Sequence, residues 1–143
     1  MTLTTAEESR EFAAATGIDI LAPAVGNTHG LSRSMIRGEA QKRLDIDRIA
    51  EIRKATGLFM TLHGASGTND DDLRRAIQAG INEIHINTEV RVAWRRGLET
   101  AFGKERDQVV PYKLLPAAVD AMKQVVSARL LLFNEGEFKG RDS

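Results

Sequence analysis

The chain has 143 residues, of which 42% are hydrophobic, and its 20 lysines and arginines balance its 20 aspartates and glutamates. This size suffices for one domain with a hydrophobic core, and the balanced charge argues against non-specific nucleic-acid binding. The lack of cysteine excludes disulfides and thiolate metal sites, and no apolar run reaches the length of a signal core or a membrane span. We therefore expect a cytoplasmic protein with neither a nucleic-acid nor a membrane partner.

The first elements in chain order are a helix, a strand and a long loop. Residues 3–17 predict a helix with its N-cap at Thr4 or Thr5, followed by glutamates that can complete a capping box. The mostly apolar residues 18–25 predict a strand that is covered on both faces. Residues 26–43 predict a polar, glycine-containing loop, and loops of this length are often functional.

Helices and strands then alternate as far as residue 102. Helices are predicted over 45–57, 69–80 and 89–102, and short strands over 58–62 and 81–88. The three aspartates near the start of the middle helix are typical of helix capping rather than metal binding. The helix side chains that the apolar spacing predicts to face inward are Ile46, Ile49, Ile52, Leu73, Ala76, Ile77, Val90, Trp94, Leu98 and Ala101.

The last predicted element is a helix over residues 114–133, and residues 103–113 before it are the nearest candidate for a linker. Its predicted inward stripe consists of Leu115, Val119, Met122, Val126 and Leu130.

The order of the elements predicts an α/β fold. Strict alternation of helices with short buried strands favours a parallel sheet with right-handed crossovers. Two architectures fit this pattern, namely an open doubly wound sheet and part of a (β/α)₈ barrel. In both, the loops after the carboxyl ends of the strands carry the functional residues.

The three histidines of the sequence occupy equivalent positions. His29, His63 and His85 each lie at or just past the carboxyl end of a predicted strand. Because neighbouring parallel strands end at the same edge of a sheet, we expect the imidazoles to converge there, where they could bind zinc. His85 alternates with two isoleucines, so it could be a zinc ligand, a substrate contact or a satisfied interior side chain.

Two turns are candidates for phosphate binding. The sequence HGASG after the second strand contains small residues and a hydroxyl, and Thr88 is the predicted N-cap of the helix after the third strand. Backbone amides at such turns and helix starts bind phosphate, helped by the helix dipole. Arg33 in the long loop could add a charged contact or be solvated. No carboxylate stands at a predicted strand end as a clear general base.

Three segments together resemble the C-terminal half of class II, zinc-dependent fructose-bisphosphate aldolases of the tagatose-bisphosphate aldolase-like group. They are TGIDILAPAVGNTHG, LHGASG and IHINTE, in this order. The second resembles the family motif LHGGSG, and the third resembles the strand that binds dihydroxyacetone phosphate. The resemblance implies one partial domain over residues 1–143, formed by about the last three βα units and a terminal helix of a (β/α)₈ TIM barrel.

The resemblance also implies roles for single residues of this sequence. His29 and His63 are implied to bind the catalytic Zn²⁺. His85 stands where the family usually has an asparagine that contacts the reacting substrate, and Arg33 stands where relatives often have a phosphate-facing lysine. The residues implied to bind the phosphorylated sugar are Gly30, Arg33, Gly64, Ala65, Ser66, His85, Ile86, Asn87 and Thr88.

The activity implied by the resemblance is reversible aldol cleavage of fructose- or tagatose-bisphosphate to dihydroxyacetone phosphate and glyceraldehyde 3-phosphate. In relatives, the aspartate base and the third zinc histidine lie upstream, in the half of the barrel that this sequence does not resemble, so we expect an incomplete chain that is inactive alone. The alternatives are a non-catalytic remnant or phosphosugar-binding module, and a different phosphosugar lyase or isomerase. Open strand edges in half a barrel also predict a homo-oligomer or a complementing chain.

Overall fold

A computed structural model of the chain describes residues 2–134, so both ends of the domain predicted over residues 1–143 lie outside the described residues. The chain divides into two compact units, Met1–Ile86 and Asn87–Ser143. The elements in chain order are α1 (Ala6–Thr16), β1 (Ile20–Leu21), α2 (Arg33–Ile36), α3 (Ile46–Thr56), β2 (Phe59–Leu62), α4 (Asp70–Ala79), β3 (Glu83–Ile84), α5 (Thr88–Lys104) and α6 (Pro111–Phe133).

The first unit contains a parallel sheet of three strands in the order β1-β2-β3. Ile20 in β1 pairs with Phe59 in β2, and Leu62 in β2 pairs with Ile84 in β3. This confirms the predicted α/β class with parallel strands. Because all three strands run in the same direction, their carboxyl ends lie at one edge of the sheet.

Local sequence signals set the starts of the helices in this unit. Thr5 is the N-cap of α1 and forms the predicted capping box with Glu8. The side chain of Asp45 caps α3, and the side chain of Asn69 caps α4 by accepting from two backbone amides of its first turn. The loop predicted over 26–43 contains one short helix, α2.

The core of the first unit comes mainly from α3, β2 and α4. Of the side chains of α3 and α4 predicted to face inward, Ile49, Ile52, Leu73 and Ala76 are buried, which confirms the prediction. Ile46 and Ile77 are half-buried. The core side chains without exposed surface in these elements are Ile49, Ile52, Met60, Leu62, Leu73 and Ala76. Helix α3 packs against both α1 and α4.

Strands β1 and β3 are shorter than predicted, and the backbone groups of Ala24 and Val25 after β1 bond outside the sheet. The backbone amide of Thr4 donates to the carbonyl of Ala24 at 2.9 Å. The hydroxyl of Thr4 accepts from the backbone amide of Ala24, also at 2.9 Å. The carbonyl of Val25 accepts from the amide of Asp45 at 2.9 Å. The predicted third strand likewise ends early because α5 already begins at Thr88.

The described part of the second unit, residues 87–134, contains α5 and α6, which pack against each other. A Cβ atom added to Gly97 of α5 would lie 2.6 Å from the Cα of Ala118 of α6, so glycine is needed where the two backbones approach. Arg129 of α6 also donates to the carboxylate of Glu89 of α5 at 2.8 Å, and both side chains are largely buried. None of the helices within residues 2–134 is both long and apolar enough to cross a membrane.

The predicted inward faces of α5 and α6 are wrong at most positions. The buried residues are Ala93, Gly97 and Ala101 on α5 and Leu114, Ala118 and Leu132 on α6, so only Ala101 matches. Four of these six residues are small, and at Gly97 the two backbones approach closely. The predicted inward residues that are exposed by between 40% and 56% are Trp94, Leu115, Val119, Val126 and Leu130.

Candidate metal and phosphate site

The three histidines lie side by side at the carboxyl edge of the sheet. The ring centroids of His29 and His63 are 6.1 Å apart, and those of His63 and His85 are 4.3 Å apart with an edge-on angle of 75°. His63 directly follows β2, His85 directly follows β3, and His29 comes from the loop after β1. The structure thus brings together the side chains that sequence reasoning singled out, while their chemical roles stay predictions.

Hydrogen bonds to the backbone hold these histidines at the edge. The amide of His85 donates to the carbonyl of Leu62 at 3.0 Å and so extends the ladder beyond β3. The side-chain amide of Asn27 donates to the carbonyl of His63 at 3.0 Å, and its oxygen accepts from the amide of Val25 at 2.8 Å. Asn27 therefore links the start of the His29 loop to the end of β2.

The turn after His63 requires glycine at position 64. Gly64 has a φ of +66°, a conformation that costs residues with a Cβ atom energy. A Cβ atom at this position would also lie 2.5 Å from the carbonyl oxygen of Thr28, which precedes His29. The two histidine-bearing turns thus touch through their backbones at this point.

A buried lysine that the sequence analysis did not single out joins the same two turns. Lys42 is 5% exposed, and its ammonium group donates to the carbonyl oxygens of Thr28 and Gly64 at 2.5 and 2.9 Å. In sequence, Lys42 is one cation among several in a polar loop, and nothing in its local pattern distinguishes it from the exposed Arg43 beside it.

A carboxylate also lies at the strand end, where the sequence analysis identified no clear general base. The Oε1 atom of Glu83 is 2.7 Å from Nε2 of His85, and the hydroxyl of Thr61 donates to its Oε2 atom at 3.0 Å. These two hydrogen bonds, that with His85 first, lower the pKa of Glu83 below its ordinary value. The sequence did carry a signal, since residues 83 and 85 share one face of an extended strand.

The fit to zinc is partial. Two imidazoles on one tetrahedral zinc have ring centroids about 5 Å apart, since each Zn–N bond is about 2.0–2.1 Å long. His29 and His63, at 6.1 Å, lie close to this separation. Within residues 2–134, no group of three or more histidine, cysteine, aspartate or glutamate side chains is arranged to hold a metal ion. His29 and His63 therefore remain predicted zinc ligands, and the described residues provide no complete ligand set.

The residues predicted to bind phosphate belong to both units, those up to Ile86 to the first and Asn87 and Thr88 to the second. Gly30 lies in an open turn with a φ of +79°, and Ala65 and Ser66 are buried in the turn after His63. Arg33 is the exposed first residue of α2. In the second unit, Asn87 rather than Thr88 is the N-cap of α5, and it makes no side-chain capping bond, so the prediction of Thr88 as N-cap is wrong.

Comparison with known proteins gives consistent matches. The sequence matches the family model described as fructose-bisphosphate aldolase class-II over residues 1–137. The structure is similar to that of the YdjI aldolase from Escherichia coli K12, with 31% identity and a TM-score of 0.73, covering 92% of this chain and 46% of that one. It is also similar in fold to a fructose-bisphosphate aldolase from Campylobacter jejuni, with 17% identity, a TM-score of 0.75 and coverage of 92% and 45%. The chain thus spans about half the length of these proteins.

Proposed function

The chain belongs to the class II fructose-bisphosphate aldolase family, and from this premise we propose that it provides the metal- and phosphate-binding edge of a cytoplasmic ketose-bisphosphate aldolase. The reaction is reversible cleavage of fructose- or tagatose-bisphosphate to dihydroxyacetone phosphate and glyceraldehyde 3-phosphate. The observation that carries the proposal is the convergence of His29, His63 and His85 next to the Gly64 turn.

In this proposal the turns after β1 and β2 hold the substrate phosphate. Backbone amides around Gly30, Gly64, Ala65 and Ser66 donate to its oxygens, since small residues let an anion approach the backbone closely. Ile86, Asn87 and Thr88 continue the sugar-phosphate site along the chain, and Arg33 adds a charge-assisted contact.

The three histidines have different roles in this proposal. His29 and His63 hold Zn²⁺, which when bound supplies Lewis-acid polarisation of the substrate carbonyl. His85 contacts the reacting part of the sugar, and its hydrogen bond to Glu83 fixes the orientation of its ring. A non-catalytic phosphosugar-binding module is a second candidate, favoured by the lack of a third metal ligand within residues 2–134.

Reconstitution tests the proposal. We expect the purified chain to bind Zn²⁺ and dihydroxyacetone phosphate but not to cleave fructose 1,6-bisphosphate. Co-expression with the half of the E. coli YdjI aldolase that this chain does not cover should yield zinc-dependent cleavage. His63→Ala should reduce that rate at least a hundredfold, because it removes one proposed zinc ligand, whereas Lys54→Ala on α3 should leave it unchanged.

Each outcome of this assay has a defined meaning. Binding of both ligands without cleavage in the reconstituted sample would favour the binding module over the enzyme. A chain that binds neither Zn²⁺ nor dihydroxyacetone phosphate would exclude both candidates.

We also propose that the chain associates, either with a second copy or with a complementing chain. In the described sheet, β1 and β3 each have a neighbour on one side only, and such edges pair readily with other strands. The exposed apolar side chains of α6, among them Leu130, favour association as well.

Light scattering after size-exclusion chromatography measures this association. The purified chain should elute with at least twice the mass of one copy. Leu130→Glu should lower that mass by placing a charge in the apolar surface, whereas Gln124→Glu, at an exposed polar position of α6, should not. A folded monomer in the unchanged chain would contradict self-association.

A further inference from the structure

Lys42 is held in place at both its backbone and its side chain. Its amide donates to the carbonyl of Gly67 at 2.8 Å, and its own carbonyl accepts from the amide of Asn69 at 3.1 Å. These bonds form a parallel bridge to Thr68, just beyond the His63 turn. The backbone of Lys42 is therefore fixed to the turn after His63, which is one of the two turns whose carbonyls bind its ammonium group.

The ammonium group lies where a charge is costly unless it is well bonded. A buried ammonium without hydrogen-bond acceptors would be unstable, and lysine provides three donors and no acceptor. The carbonyls of Thr28 and Gly64 accept two of these donors. Since one carbonyl comes from each turn, the charge attracts the two backbones toward a common point.

These contacts also determine the orientation of the adjacent peptide groups. In a trans peptide the N–H points away from the C=O of the same plane, and the structure has no cis peptide within residues 2–134. With their carbonyls directed at Lys42, the peptides after Thr28 and Gly64 direct the amides of His29 and Ala65 away from the lysine. The lysine thus sets two peptide planes that adjoin His29 and His63.

We propose that Lys42 is a positioning residue, an internal cation that holds the His29 turn and the His63 turn together in the arrangement needed to bind an anion. Its positioning role stands on the geometry alone, and only the anion-binding part rests on the proposed function. Neither the family resemblance nor the sequence pattern assigned a role to this residue.

The test removes the ammonium group and then returns it as a small molecule. Lys42→Ala deletes three methylene groups and the ammonium, which n-propylammonium replaces atom for atom. We expect amide hydrogen exchange to rise at least tenfold in peptides covering residues 26–32 and 63–69, but not in α1. We also expect the Kd for inorganic phosphate to rise at least tenfold. Addition of n-propylammonium should reverse at least half of both changes, and neutral n-propanol should not.

Two further variants keep the test decisive. Lys54→Ala, which removes an exposed lysine from α3, should change neither exchange nor phosphate binding. If Lys42→Ala does not fold, Lys42→Met retains the apolar stem, and the same local rise in exchange is expected from loss of the charge alone.

The outcomes separate positioning from a general structural role. A uniform rise in exchange that includes α1, or equal rescue by n-propanol and n-propylammonium, would overturn the proposal. If the unchanged chain does not bind phosphate, the proposed function fails, whereas the exchange pattern and its charge-specific rescue still decide whether Lys42 positions the two turns.

Discussion

Gly64→Ala should lower the free energy of unfolding by about 2–5 kcal/mol, because strain and overlap act at the same residue. An alanine would have to adopt a φ near +66°, and its Cβ atom would approach the carbonyl oxygen of Thr28 to 2.5 Å. That carbonyl cannot retreat freely, since it also accepts from the ammonium group of Lys42. Urea denaturation followed by circular dichroism measures the loss.

Gly57→Ala is the matched control for this substitution. Gly57 has nearly the same φ, +68°, but a Cβ atom there would meet nothing within 4 Å. It should therefore show the conformational cost alone, about 1–2 kcal/mol. Equal losses for the two variants would show that the two histidine-bearing turns are not in contact at Gly64.

The parts of this structure that follow from short-range sequence patterns were predictable. Thr5 and Glu8 form their capping box within four consecutive residues, so no knowledge of the rest of the chain is needed to expect it. The convergence of His29, His63 and His85 was also predictable, because parallel strands joined by helices must end at one edge. In that case a general rule of topology replaced knowledge of the distant contacts.

The contacts that sequence reasoning missed depend on residues far apart in the chain. Lys42 acquires its role from two carbonyls that its own sequence neighbourhood does not reveal. Ala118 of α6 is buried where its backbone approaches Gly97 on another helix, so the largest apolar side chains of α6 were a poor guide to its buried side. Backbone approach, rather than side-chain hydrophobicity, decides that contact.

Asp72 is a further example, since its acidic neighbours suggested capping and the structure shows a buried carboxylate paired with an exposed guanidinium. Its side chain is 2% exposed and accepts from Nε and Nη2 of Arg43 at 2.7 and 3.0 Å and from the amide of Leu44 at 2.9 Å. The helix cap is instead Asn69. Asp72 thereby fastens the end of the 26–43 loop, which includes Lys42, to the first turn of α4.

Asp72→Asn should lower the free energy of unfolding at pH 7 by about 1.5–3 kcal/mol, because the exposed Arg43 guanidinium and the buried Leu44 amide both lose a charged, buried acceptor. The hydrogen bonds from Arg43, supported by the Leu44 amide and opposed by burial, hold the pKa of Asp72 below its ordinary value of 3.8. A carboxyl whose pKa is depressed by folding stabilises the folded state above its unfolded pKa, and this stabilisation disappears as the pH falls through the folded pKa. The difference between the unchanged chain and the variant should therefore be constant from pH 7 to pH 5 and shrink below about pH 3.8.

Asp71→Asn gives the matched control in the same turn of α4. The Asp71 side chain is 82% exposed and its ion pair with Arg74, at 3.0 Å, is accessible to water, so its loss should cost at most about 1 kcal/mol. Urea denaturation at pH 7, 5 and 3 for the three proteins measures both effects. Two results would mean that the ionised Asp72 does not anchor the loop: a similar loss for both variants, or a difference for Asp72→Asn that does not shrink at pH 3. The attachment of Lys42 to the site would then rest on its own backbone bonds to Gly67 and Asn69.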